Sequence, residues 1–171
     1  MNNFNEYLHN FAVWTAARAV QRNFTNTQNI KAAIDHARLK ENLIDTPLNF
    51  FQESEFDEFH RKTSNDLMDY FKGINIKDPT YGRVAKIISI YIKTAIIIRD
   101  SGKGEISRVA HPPIDNILLT NLHKENKLLK VGNTKWTQLG EKQYFLLIEK
   151  LRTLNFEYFW QIEKYWKPTR N

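Results

Sequence analysis

Apolar residues recur along this chain at helical spacing, and alternation at period two is scarce. Phe4, Leu8, Phe11 and Trp14 fall on one stripe, and Ala12, Ala16 and Ala19 would let a neighbouring helix approach closely. Ile30, Ile34 and Ala37 mark a second helix, with Thr25 or Thr27 as its expected N-cap. Ser54 is the expected cap of a third, carrying Phe56, Phe59, Leu67 and Phe71 and ending at Gly73. The most apolar run, AKIISIYIKTAIII, belongs to a fourth that starts near residues 79–83. Ile114, Ile117, Leu118 and Leu122 form a fifth. Tyr144, Leu147, Ile148 and Leu151 form a sixth, and Phe156, Phe159, Trp160 and Trp166 a last, with Asn155 as a possible cap. The expectation is all-α: one domain over residues 1–171, an orthogonal bundle of about seven helices around a central buried helix near 80–99.

Composition narrows the partners. The 171 residues carry 25 Lys and Arg against 19 Asp and Glu, a net charge of +6. That excess favours an anionic partner, nucleic acid first and an acidic membrane surface second, although extra lysines also serve plain solubility. No cysteine is present, which removes disulfides, thiolate metal sites and a cysteine nucleophile. The N-terminal residues do not form a signal peptide, and the run 87–98, interrupted by Lys93, is too short to span a bilayer. A cytoplasmic protein without a membrane segment is expected. The five histidines are scattered, and Asp57 with His60 reads as a surface hydrogen bond on the polar side of the third helix. No metal site or cofactor is therefore expected, and oligomeric state is not legible.

The candidate chemistry begins with two lysines inside the apolar run. Lys86 and Lys93 are seven apart, nearly two turns at 3.6 residues each, and Arg83 and Ser89 fall near the same side. A bland reading makes this band a solvated edge, the lysine stems lying over apolar neighbours. A sharper one starts from Lys86 lying in the first two turns of its helix, where the dipole disfavours a proton on the amine. An ordinary lysine is neutral about once in 2,500 at pH 7. A lysine with a depressed pKa in a partly dry cleft is an amine nucleophile. Downstream, AHPPID holds the backbone extended and sets Asp115 at the start of a helix, either as a plain cap or as a rigidly mounted carboxylate.

A helix opened by a glycine turn and bearing a lysine, followed by a proline turn with an aspartate heading the next helix, resembles the helix-hairpin-helix DNA glycosylase superfamily. AKIISIYIKT and AHPPIDNILL look most like the archaeal 8-oxoguanine branch. There a second lysine follows on the same helix and the lysine-to-aspartate interval is long. The resemblance covers residues 79 to about 122. It departs from the family pattern in having only Gly82 in TYGRVAK and Pro-Ile before Asp115. It implies double-stranded DNA as substrate, Lys86 as nucleophile and Asp115 as supporting carboxylate. An alternative alignment sets Arg83 at the lysine position, without imine chemistry. On this reading Arg83, Lys93, Lys103 and Arg108 contact phosphates. His111, Trp14, Tyr81 and Tyr91 are pocket candidates, with Trp136 and Phe159 beside them. The aromatic C-terminal stretch is either a stacking surface or a lid on the core. The competing expectation is a non-catalytic helical module that binds nucleic acid or protein.

Overall fold

The computed structural model describes residues 3–50 and 52–169. It is all-α, with no strand among the described residues. The α-helices are α1 (Asn3–Val20), α2 (Thr27–His36), α3 (Glu53–Gly73), α4 (Tyr81–Ile92), α5 (Glu105–Val109), α6 (Asn116–Glu125) and α7 (Glu141–Arg152). A π-helical segment, Lys93–Ile97, prolongs α4. The helix expected at the C-terminus is a 3-10 segment, Phe159–Tyr165. The short α5 occupies a stretch that shows no helical periodicity in the sequence.

Several boundaries differ from expectation for local reasons. Asn26, not a threonine, caps α2, its side chain accepting from the Asn29 N–H at 2.9 Å. Gln52 rather than Ser54 caps α3, and its own N–H donates to the Glu55 carboxylate at 3.1 Å. Tyr158 heads the final 3-10 segment, while Asn155 takes a left-handed φ of +51° just after α7. Asparagine adopts that conformation more readily than most residues.

Of the apolar stripe on α1, only Leu8 packs on the core; the rest faces outward. Phe4, Phe11 and Trp14 are more than half exposed, and Phe11 stacks on Trp14. The buried face is Ala12, Val13, Ala16, Ala17 and Val20. Those small side chains let the α1 backbone lie close to α4, and the bulky rings are left on the opposite side.

Two apolar clusters share α4. The first gathers Ala16, Ile34, Phe56, Leu67 and Phe71 around Ile87, Ile88 and Tyr91. The second gathers Leu118, Leu122, Tyr144, Ile148 and Ile162 around Tyr81 and Ala85. The central-helix expectation therefore holds, and Lys86 sits on the helix common to both clusters. Among the described residues no helix is long and apolar enough to cross a membrane.

Candidate functional site

Lys86 is buried, only 8% exposed, so its amine is not on a solvated edge. Its Nζ lies 3.2 Å from Asp115 Oδ2 and donates to it. Asp115 is held by its place in the chain. Pro112 and Pro113 keep the approach extended, and its Oδ1 accepts the Leu118 N–H at 2.9 Å as the N-cap of α6. Its Oδ2 also accepts from the Trp166 indole N–H at 3.0 Å. The carboxylate is thus fixed by a helix cap, an indole and an ammonium, so it cannot swing away from Lys86 without losing all three.

Tryptophans flank the pair. The Lys86 amine lies 4.5 Å from the centre of the Trp136 ring. Trp136 reaches that position because Gly82, in the first turn of α4, has no side chain. A Cβ there would sit 1.9 Å from the Trp136 carbonyl oxygen. The Gly82 N–H donates to Leu139 O at 3.0 Å, and the Thr80 hydroxyl to Thr137 O at 2.7 Å. The glycine read from sequence as a turn residue is therefore a point of close backbone approach. On the other side, Lys93 stands 5.2 Å from the Trp166 ring centre and forms an ion pair with Glu163.

The electrostatics follow from burial. Loss of solvent lowers the Lys86 pKa, and the attraction of Asp115 only partly restores it. Burial, rather than the helix dipole expected from sequence, is the cause. Burial likewise raises the Glu163 carboxyl, with Lys93 pulling the other way. Beside this group opens a largely apolar cleft of about 780 Å³, lined by Ile97, Ile98, Phe156, Trp160 and Trp166, with Lys93 and Glu163 at its edge. Neither Lys86 nor Asp115 lines that cleft, which meets the pair through Trp166; an amine of lowered basicity with a fixed carboxylate 3.2 Å away is suited to nucleophilic attack on an electrophilic carbon.

The remaining expected site residues are dispersed. Arg83 lies over the Phe24 ring and donates to Asp78 O, away from Asp115. Lys103 is exposed, and Arg108 is held by Glu105, Glu157 and Tyr158. Trp14 lies on the outer face of α1. Tyr91 is fully buried and bonded to His9 at 2.9 Å. Phe159 is a core residue of the second cluster.

His111 and Tyr81 belong to a second polar cluster that sequence reasoning missed. His60, expected on a surface, is fully buried, and Asp57 bonds not to it but to His111 Nε2 at 2.8 Å. Arg152 grips the same carboxylate through two nitrogens, at 2.7 and 2.9 Å. His111 Nδ1 meets Tyr144 Oη at 3.2 Å, Tyr144 Oη meets His60 Nε2 at 3.4 Å, and His60 Nδ1 meets Tyr81 Oη at 3.1 Å. One proton arrangement satisfies this chain with both imidazoles neutral. His111 Nε2–H donates to Asp57, Tyr144 to His111, His60 Nε2–H to Tyr144, and Tyr81 to His60. Burial lowers both histidine pKa values, in keeping with that arrangement.

Glu163 was also missed, although its spacing from Trp160 and Trp166 in FWQIEKYW sets it on an aromatic segment. No family model, curated protein or solved structure matches this chain.

Proposed function

We propose that this protein is a DNA glycosylase with associated lyase chemistry, in which Lys86 is the nucleophile and Asp115 the supporting carboxylate. The observation that carries the reading is the buried Lys86 amine, its basicity lowered, held 3.2 Å from the capped Asp115 carboxylate beside an apolar cleft. The basic balance of the chain fits a polyanionic substrate.

In the first step Asp115 accepts a proton from the Lys86 ammonium, leaving a neutral amine. The nitrogen lone pair attacks the sugar C1′ of an extruded nucleotide. The C1′–N bond to the base breaks, and the base leaves with that electron pair and takes up a proton. The new C1′–N bond becomes an imine as the sugar ring opens, the ring oxygen gaining the proton that the amine nitrogen loses. Extruding the nucleotide costs a few kcal/mol, which stacking on aromatic side chains in the cleft offsets.

The test is borohydride trapping on a duplex bearing an abasic site. The expected result is a covalent protein–DNA adduct that forms with the natural chain and disappears in Lys86→Gln. An adduct that survives that substitution, or none with any damaged duplex, removes the lyase chemistry. That both Asp115 oxygens already accept hydrogen bonds also suits a second reading, a non-catalytic DNA-binding scaffold in which the pair is structural. That reading expects salt-sensitive DNA affinity, unchanged in Lys86→Gln, and no adduct.

A further inference from the structure

Beyond the apolar cleft, the outer face of α6 is the floor of a groove. Asn116, Thr120 and Lys124 are exposed along one line of that helix. From first to last they are eight helical steps apart, about 12 Å at 1.5 Å per step. A cleft of about 910 Å³ lies between this line and the extended segment Trp166, Lys167, Pro168 and Thr169. A second, of about 400 Å³, lies between Asn116 and Thr120 and the loop 132–138 that carries Lys135 and Trp136. Both share Asn116 and Thr120, so they run together at the residue following Asp115. The walls at this junction are Trp166, which bonds Asp115, and Trp136, which covers the Lys86 amine.

The chemistry of the walls is one-sided. The chain has 19 acidic residues, yet among the described residues none lines either cleft. Lys124 and Lys135 are exposed there, and among the described residues neither is in an ion pair. Amides and hydroxyls of Asn116, Thr120, Asn121, Asn133, Thr134 and Gln138 also line them, groups that donate to phosphate oxygens as well as to water. Many cations elsewhere are already matched, as Arg61 is with Glu141 and Lys40 with Asp45.

We infer that this groove along α6 seats the phosphodiester backbone of the DNA strand that carries the target nucleotide, with Lys124 and Lys135 as its phosphate contacts. The inference rests on the proposal that the Lys86 pair acts on DNA, and it specifies where the strand runs. A strand rises about 3.4 Å per nucleotide, so the α6 face accommodates about three or four nucleotides. The groove delivers one of them to the junction between the tryptophans. Phosphate contacts of this kind fix register and carry no sequence preference.

The test is fluorescence anisotropy with a fluorescein-labelled duplex holding one central tetrahydrofuran abasic analogue, over a salt titration. The double variant Lys124→Glu/Lys135→Glu is compared with Lys62→Glu/Lys150→Glu, an equal charge change at exposed positions outside the groove. Thermal melting checks that each variant is folded. The groove variant is expected to bind about tenfold more weakly or worse, with a log–log salt slope shallower by about 1.8, two phosphates' worth. The control pair is expected to keep the natural slope. Equal effects from both pairs overturn the groove, as does a natural chain that binds no duplex. Adduct formation at the natural yield with unchanged affinity removes the groove and leaves the Lys86 chemistry. Groove-dependent binding without any adduct removes the chemistry and leaves the groove.

Discussion

Two buried polar clusters lie in this molecule, and they differ in how completely they are closed. The Asp57–His111–Tyr144–His60–Tyr81 chain is internally satisfied, and Arg152 seals its charged end with a bidentate contact. Its two imidazoles are at most 2% exposed. The Lys86–Asp115 pair is also buried, but it ends at tryptophans that line clefts, one of which is 39% exposed. Both clusters have displaced pKa values, so perturbed titration does not separate them. Access does. The histidine chain holds α3, α4, α7 and the 110–115 turn together, whereas the lysine pair touches two tryptophans that line open clefts.

Replacing Lys86 by Met gives the sharpest contrast. Adduct formation with abasic duplex is expected to vanish. Stability is expected to fall by about 1–3 kcal/mol, less than for an Asp57 variant, because the mostly buried Asp115 carboxylate loses its ammonium but keeps its cap and its indole bond. Thermal melting and trapping on the same sample check both halves. A Tm fall comparable with that of an Asp57 variant would make the pair structural and erase the distinction.

Asp57→Ala is expected to show the reverse profile. It takes the bidentate carboxylate from Arg152, whose side chain is only 10% exposed and which keeps only the more exposed Glu53 and Glu149 among the described residues, and it leaves the His111 Nε2–H without its carboxylate acceptor. Breaking a buried pair in this way costs about 3–5 kcal/mol. At about 2–4 °C per kcal/mol for a chain of this size, Tm should fall by about 10 °C. Any adduct yield measured well below the new Tm should persist. Loss of the adduct with little change in Tm would place the histidine chain in the chemistry.

The clusters should also titrate at opposite ends of the pH scale. His60 and His111 are held below their ordinary value of 6.5. As pH falls through 6.5 the unfolded chain takes up protons before the folded one, so stability is expected to decline from there downward. Asp57 adds a further loss below its ordinary 3.8. Burial alone would raise its carboxyl, but bonds from His111 and Arg152 hold it far lower. For Lys86 the sign is reversed. Its folded pKa lies below 10.5, so the unfolded chain retains its proton longer, and stability gains as pH climbs from the folded value toward 10.5. Denaturant midpoints across pH check this. A natural chain as stable at pH 5 as at pH 7 would contradict the neutral imidazoles.

Local rules made the helices legible, and long-range geometry hid the rest. The spacing of Ile87, Ile88 and Tyr91 fixed α4 as central, and the proline turn fixed Asp115 as a cap. Proximity of Lys86 to Asp115 was an expectation from resemblance, because 29 residues separate them and no periodicity links them. On α1 the alanines were legible as a close-packing face, and Ala12 and Ala16 do meet α4, but three of the four bulky residues at helical spacing, Phe4, Phe11 and Trp14, lie outside because that tight packing leaves them no room. The histidine chain was invisible for the same reason of distance, since Asp57 and Arg152 lie 95 positions apart. Trp136 was suggested only as one aromatic among several. Its position over Lys86 depends on Gly82, whose role as a gap in α4 appears only when the 136–139 backbone is laid against it.

The smallest expected effect tests how Trp166 couples the clefts to the pair. Trp166→Phe keeps an aromatic ring beside Lys93 but removes the indole N–H from Asp115 Oδ2. With a ring this exposed, the lost hydrogen bond is worth about 0.5–1.5 kcal/mol, so Tm should move by only a few degrees. The effect on chemistry is directional. Without the indole donor, Asp115 Oδ2 is left to the Lys86 ammonium alone and attracts its proton more strongly. The pH at which adduct formation reaches half its maximal rate should therefore rise, by less than about one pH unit. In the histidine chain, which is sealed, a cleft-side substitution at Trp166 should leave the acid limb of stability where it is. A shift of the adduct profile toward lower pH, or a displaced acid limb, would show that Trp166 acts through something other than its bond to Asp115.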